Sequence, residues 1–475
     1  MNLKVAVLRK LSRFEEAVRL ANQIAQSDPL DHQSRNELLL LKSAKGLKRE
    51  AKITKNDLNR IMRNEVQSYL ELATDYSNCG LYDEAIDILS RLEEKGSTFP
   101  MVYYYMGYFW SKKGQIDRSK EYYSIASKMP HTYCFPFRAE SIDVLRHASE
   151  LNPKDARAPY YLGNLLYEHQ PENAIVEWEK SRSLDGKFYI VHRNLGAAYE
   201  EVQNDIPKAL ASLEKAVACY SDDPRLLFEI DELYEENKVS PQKKYALLKK
   251  NHKTAMRRTE TLLREATRAV GVSKYDEALD ILLNNYFPQF EGGREMRNTY
   301  LNAFVLRGKE RFKAKQYAEA LDDFKAALDY PLGRWGRTRT AQFYYLTGTV
   351  HEALGNASEA KANYEKALNI AIERKSDEYI YYHGLAMQKL DRGSEAKQIF
   401  DELLAETQKD SGSDFFRQFE GGRTGDMRLA ANHYLAGLAY KGMGKNKKAE
   451  TEFTSALKLD PGHIWSRVHL DSSGK

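Results

Sequence analysis

The chain has little of what would staple, anchor or electrostatically bias it. Its three cysteines, Cys79, Cys134 and Cys219, are odd in number and far apart. They stand in no metal-ligand spacing, which argues against a disulfide framework and a zinc site. No compartment follows from this. Proline is scarce at 13 in 475 residues. No run of 18 apolar residues occurs, so no transmembrane helix is expected. The opening Met1-Asn2-Leu3-Lys4-Val5-Ala6-Val7-Leu8-Arg9-Lys10 holds no apolar stretch of signal-peptide length. A dominant charge is missing too. The 72 basic and 68 acidic residues leave +4, too little for a broad phosphate-binding field. Enzyme signatures are absent: the eleven histidines form no H-E-x-x-H, and there is no phosphate loop and no G-x-S-x-G. Leu332-Gly333-Arg334-Trp335-Gly336 follows a helix pattern rather than a strand, so it reads as a loop between repeats. The expectation is a chain with no catalytic residues, cofactor or metal.

What is abundant is tyrosine, at 31. Aromatic-rich, charge-rich, proline-poor composition is that of packed helices rather than disorder. A small residue recurs before an aromatic or apolar stripe at Ala73, Gly107, Gly163, Gly196, Ala266, Gly308, Gly348, Gly384 and Gly437. A second small residue follows about twelve positions later at Ala85, Ala174, Ala209, Ala278, Ala320, Ala360, Ala396 and Ala449. Two antiparallel helices joined by a short turn need small residues where their backbones cross and large ones a turn away.

The last unit is the most complete. Tyr434-Leu435-Ala436-Gly437-Leu438-Ala439-Tyr440 leads to Gly444, then Ala449, Phe453, Ala456 and Pro461. Gly444 and Pro461 are stop signals for its two helices. With Leu162-Gly163, with Leu195-Gly196 and Tyr199, and with Tyr344, Gly348, Gly355, Ala360, Tyr364 and Ala367, this unit resembles the tetratricopeptide repeat, whose period is about 34. The resemblance implies an all-α fold, a right-handed superhelical solenoid of antiparallel hairpins, and a role in binding.

The ladder is irregular. We expect a partial repeat over 1–31, degenerate helices over 32–65, and hairpins over 66–155 with an extra helix near Arg138 to Glu150. Two repeats follow over 156–223, then a degenerate pair over 224–258 near Pro224–Asn237 and Pro241–Asn251. One repeat spans 259–300, three span 301–408, a loop spans 409–429, the final repeat spans 430–463, and 464–475 is a tail. The first residues read as the middle of a repeat, with Ala17, Ala21 and Pro29 on its second helix, so a longer parent protein is expected.

Several phrases, in order, resemble one bacterial family whose tetratricopeptide array follows a galactose-mutarotase-like β-sandwich. They are Asp28-Pro29-Leu30-Asp31-His32, Tyr69-Leu70-Glu71-Leu72-Ala73-Thr74-Asp75-Tyr76, Ala156-Arg157-Ala158-Pro159-Tyr160-Tyr161-Leu162-Gly163-Asn164, Trp178-Glu179, Arg193-Asn194-Leu195-Gly196 and Phe290-Glu291-Gly292-Gly293. The family usually has Trp where Phe290 stands. The resemblance implies a sugar-related domain upstream and carries over no catalytic residue.

Three candidate sites follow. In the repeat, the second, fifth, ninth and twelfth positions of each first helix line a groove. Here the fifth positions hold Tyr104, Tyr160, Tyr345, Tyr381 and Tyr434, and Tyr108 and Asn164 are ninth. Tyrosine offers a flat ring and one hydroxyl at low entropy cost, suiting a peptide or glycan. The bland alternative is that the rings pack between helices. Asn164 and Asn194, with Arg193 as the charge, resemble half of a carboxylate clamp, but the lysine such a clamp needs is Tyr160; amides bonded within the protein are the alternative. Last, Gln289-Phe290-Glu291-Gly292-Gly293-Arg294 recurs 129 residues later as Gln418-Phe419-Glu420-Gly421-Gly422-Arg423. Glu291, Arg294, Glu420 and Arg423 stand at a groove edge in the functional reading. In the structural one the preceding aromatics, Tyr286-Phe287 and Phe415-Phe416, plug a seam and Gly-Gly makes the turn.

The expected function is a non-catalytic scaffold holding a protein or peptide partner. The alternative is an accessory, oligomerising or glycan-contacting region of a larger carbohydrate-related protein. Nucleic acid is not expected, because the inward positions are mostly Tyr and Asn.

Overall fold

The computed structural model describes residues 1–288, 294–331, 334–408 and 425–471. Among them every regular element is helical. The chain divides into two units, Met1–Cys219 and Tyr220–Lys475.

The first unit is a series of hairpins. They pair α1 (Asn2–Lys10) with α2 (Phe14–Ser27), α3 (His32–Ala44) with α4 (Lys48–Met62), α5 (Val66–Asn78) with α6 (Tyr82–Glu93), and α7 (Pro100–Lys112) with α8 (Ile116–Ala126). A lone helix, α9 (Glu140–Leu151), lies against α7 and against α10 (Arg157–Leu166). Then α10 pairs with α11 (Pro171–Leu184), and α12 (Tyr189–Glu201) with α13 (Ile206–Cys219). The α3–α4 stretch lacks the small-residue mark, and α3 meets α1, α5 and α6 through polar contacts. Glu37 and Asn36 of α3 are fully buried. Glu37 accepts from Arg9 (2.7 Å) and from the Tyr76 hydroxyl (2.8 Å), and Asn36 accepts from Arg91 (2.8 Å). Four helices are thereby tied by buried hydrogen bonds.

The second unit opens with α14 (Pro224–Glu236), α15 (Pro241–Lys250) and the short α16 (His252–Ala255). Hairpins follow: α17 (Thr259–Gly271) with α18 (Tyr275–Asn284), α19 (Arg294–Lys313) with α20 (Tyr317–Asp329), α21 (Thr340–Ala353) with α22 (Ala357–Leu368), α23 (Ile380–Lys389) with α24 (Gly393–Thr407), and α25 (Gly425–Gly442) with α26 (Asn446–Leu459). A 3₁₀ turn, Arg334–Arg339, leads into α21. The stretch expected as a C-terminal tail contains a further helix, α27 (Ile464–Asp471). Pro224 and Pro241 sit in the first turns of their helices, where a missing N–H costs nothing, and Asp223 and Ser240 cap them. Again charge replaces small residues. Asp231 of α14, fully buried, accepts from Arg264 (3.1 Å) and Arg268 (2.7 Å) of α17.

The recurrent glycines meet large side chains. A Cβ added at Gly384 of α23 would overlap the Phe400 ring of α24, and so would one at Gly442 of α25. One aromatic ring therefore fills a slot cut by two glycines on different helices. Gly384→Ala is expected to destabilise by about 1–3 kcal/mol through overpacking. Gly393→Ala, with open space around its Cβ, serves as the control. Equal midpoints of chemical denaturation for the two variants would contradict this.

Candidate functional site

The groove tyrosines are mostly interior. Tyr104, Tyr160, Tyr381 and Tyr434 are all buried. Tyr104 donates its hydroxyl to Asp155 (2.8 Å). Burial and the neighbouring Asp155 charge push that phenol well above its ordinary value. Tyr160 packs against Phe188 and Tyr161, with ring centroids 4.9 and 5.1 Å away. Half-buried Tyr345 lies between Tyr364 and Tyr382, each at 5.7 Å. Half-buried Tyr108 meets His147 of α9 edge-on at 5.7 Å, and Lys112 stands over its ring. The physical reason is close packing. Each ring meets another aromatic side chain, that of Tyr160 meeting Phe188 just before α12, and the inserted α9 covers part of α7.

The Asn164 and Asn194 amides bond within the protein. Asn164 Oδ1 accepts from Trp178 Nε1 (3.1 Å) and from Asn194 Nδ2 (2.9 Å), so the two amides hold each other and the core. Arg193 is half-buried beside them. Of the repeated loop, Glu291, Glu420 and Arg423 lie outside the described residues. Arg294 is the exposed first residue of α19. Phe287 is buried in the core, whereas Tyr286 is 82% exposed, so only one of that pair plugs a seam.

The first-helix face of the second unit holds something the sequence reading missed, namely α27. Its contacts come from α17, α19, the 3₁₀ turn, α23, α25 and α26. Ile464, Trp465 and Val468 pack on the core built by α17 to α21, and Trp465 and Leu470 on that of α23 to α26. Trp465 Nε1 donates to Asn302 Oδ1 (3.2 Å), which also accepts from Arg339 (2.5 Å). Lys309 Nζ stands 5.4 Å and the Arg339 guanidinium 5.7 Å from the indole centroid, a cation–π arrangement. Arg467 donates to the Gly271 carbonyl (2.6 Å). Lys441 donates to the His469 carbonyl (3.1 Å), the favourable place for a cation at a helix C-terminus.

His469 is the most enclosed part of the seat. Its ring stacks on Phe453 at 5.2 Å and meets Tyr381 and Tyr434 at 6.0 Å. Burial, then the charges of Lys309 and Lys441, hold this imidazole well below its ordinary pKa. Lys309 is pushed down to about 7 by burial and by the positive charges of Lys441 and Lys313. A cleft of ≈ 80 Å³ runs alongside, lined among others by Lys309, Lys313, Glu310, Arg467 and Asp471. Among the described residues no group of three His, Cys, Asp or Glu side chains is placed to hold a metal. No described helix is long and apolar enough to cross a membrane.

A tetratricopeptide-repeat family model matches residues 341–371 and 430–463, the α21–α22 and α25–α26 hairpins. Three solved structures align with parts or all of this chain. YrrB, described as a TPR protein with an unusual peptide-binding site, is 17% identical over 53% of this chain and 99% of its own, with a TM-score of 0.26. The C-terminal part of a TPR repeat-containing protein from Cytophaga hutchinsonii is 16% identical over 56% and 97%, with a TM-score of 0.29. The Cut9–Hcn1 hetero-tetramer of the APC/C is 14% identical over 100% and 95%, with a TM-score of 0.28. With its marked glycines, its paired helices and these two matched segments, this is an all-helical hairpin protein carrying tetratricopeptide repeats at 341–371 and 430–463.

Proposed function

We propose that the chain is a non-catalytic interaction scaffold, and that the first-helix face of its second unit holds a helical segment of a protein partner. The observation that supports this is α27. An eight-residue helix sits there on contacts from six elements, with an aromatic anchor and hydrogen bonds to both of its ends. A surface that seats one amphipathic helix is chemically suited to another of like pattern. The buried rings of Tyr104, Tyr160, Tyr381 and Tyr434 offer a sugar no stacking face, which favours a peptide ligand over a glycan.

The test uses a labelled peptide of residues 460–471. It is titrated into the full chain and into a full-chain variant, Ile464→Ser with Trp465→Ala, that loosens α27. Saturable binding to the variant, and much weaker binding to the wild type, is the expected result. Absence of binding to both would overturn the proposal.

A further inference from the structure

We propose that α1, in the first unit, seats an amphipathic helix of another protein, one whose apolar stripe is flanked by acidic residues. The helix α1 is apolar on two sides. Val5 and Leu8 are buried against Ala17, Ala21 and Leu41. Leu3, Val7 and Leu11 stand on the opposite side, 46 to 62% exposed. Residues four apart share a helix face, so these three form one stripe. Leu30, also exposed, lies at the same end of α1 as Leu3, because Asn2 donates to Asp31 at 2.8 Å. A helix that is apolar nearly all round belongs in an interior. The outermost helix of a solenoid ordinarily turns a polar face outward, and α1 does not. Its stripe spans two turns, about 12 Å, which matches the i, i+4 and i+7 anchors of a docked amphipathic helix.

The charges on α1 decide what fits there. Its basic residues are Lys4, Arg9 and Lys10, and it has no acidic one. Arg9 turns inward to Glu37 (2.7 Å) and Glu84 (2.9 Å). At about 100° per residue, Lys4 falls on one side of the stripe and Lys10 on the other. Lys4 is exposed and makes no ion pair among the described residues. Lys10 reaches Glu84 at 2.6 Å yet keeps much of its side chain in solvent. A helix docked along the stripe would lay its flanks beside two ammonium groups, where an acid gains and a base loses. A second copy is disfavoured for the same reason: α1 against α1 sets lysines beside lysines in either orientation, with no acid to meet them. A bilayer is disfavoured too. Two exposed lysines fall short of the about four to eight cations that hold a segment on anionic lipid. Glu15 and Glu16 also stand exposed at the start of α2.

Two synthetic helices test this, both acetylated and amidated, with the same leucine stripe on an alanine background. One flanks the leucines with glutamate, the other with lysine. Titrated into the full chain, the glutamate helix is expected to bind saturably and about tenfold more tightly than the lysine helix, with a margin that shrinks as salt rises. Lys4→Glu should narrow that margin. Leu3→Ser with Val7→Ser should abolish binding while the thermal midpoint stays unchanged, since both side chains are already exposed. Equal binding of the two helices, no binding of the glutamate helix, or binding that survives Leu3→Ser with Val7→Ser would overturn the proposal. So would dimerisation of the full chain that Leu3→Ser with Val7→Ser breaks, which would give the face to a second copy. Sedimentation with phosphatidylcholine–phosphatidylserine vesicles, lost in the same variant, would overturn it in favour of a membrane.

Discussion

Asp231→Ala is expected to cost the second unit about 3–5 kcal/mol, the range for breaking a buried ion pair from one side. Asp231 is wholly buried. It receives Arg264 at 3.1 Å and Arg268 through both Nε (3.0 Å) and Nη2 (2.7 Å). Glu235 completes the cluster, 2.8 Å from Arg264 and 2.9 Å from Arg268. Removing Asp231 leaves two nearly buried guanidiniums with only the outer part of their counter-charge. Because hairpins contact mainly their neighbours, the loss concentrates on α14 to α17. Hydrogen exchange should rise there first, and the denaturation midpoint should fall. An apolar pair of similar volume, Asp231→Leu with Arg268→Met, should recover part of the loss, since it removes charge from both sides. A midpoint unchanged in Asp231→Ala would show the cluster to be energetically idle. Glu235 adds an acid limit. Against the upward push of burial, Arg268 and Arg264 hold it at about 2. Its contribution is present above its ordinary value of 4.5 and is lost as pH falls from there toward 2.

Acidification is expected to release α27. In the seat His469 is neutral, with its pKa well below the ordinary 6.5. Lys309 there titrates at about 7 rather than 10.5. Both groups bind protons more readily once α27 has left. Docking therefore weakens as pH falls through 6.5 because of His469, and it strengthens as pH rises from 7 toward 10.5 because of Lys309. The groups facing His469 are Tyr381, Tyr434, Phe453, Trp465, Lys309, Lys441 and His463. The docking constant changes at most about tenfold per pH unit for each proton involved. The half-buried Lys309 side chain will fall short of that bound. Hydrogen exchange across 464–471, measured from pH 5 to 8 and corrected for intrinsic rates, is the readout. His469→Phe should flatten the acid side. Protection that is constant over this range would refute the account.

The repeats were legible because close approach leaves a mark in the sequence. Gly384 and Gly437 are small because Phe400 and Phe453 occupy the space where their side chains would be. The interval between Gly107 and Gly163 exceeds one repeat, and α9 lies within it. The tyrosines were not legible, because one residue type at one spacing serves a groove or a seam equally well. Tyr160-Tyr161 and Tyr381-Tyr382 are adjacent pairs, which no helix can point the same way, yet all four rings are buried. Closure comes from Phe188 and from Phe400, and a periodicity cannot show it. The helix α27 was missed because eight residues make barely two turns, too few for a period to emerge. Its seat is assembled from Gly271, Asn302, Arg339 and Lys441, which are far apart in the chain. The phrase Ile464-Trp465 after Pro461-Gly462 was the only available sign, a large apolar pair just past a helix stop.

Only Asp460–His463 separates α26 from α27. A tether that short holds the helix over its seat at an effective concentration on the order of millimolar. On the proposed function, a partner of this face must therefore compete with a ligand that never diffuses away. Its apparent affinity falls in proportion to the fraction of molecules whose seat is open. Occupancy by a partner is thus set jointly by the partner's concentration and by whatever shifts α27, and for a given partner the accessible range of response is written into four residues of turn.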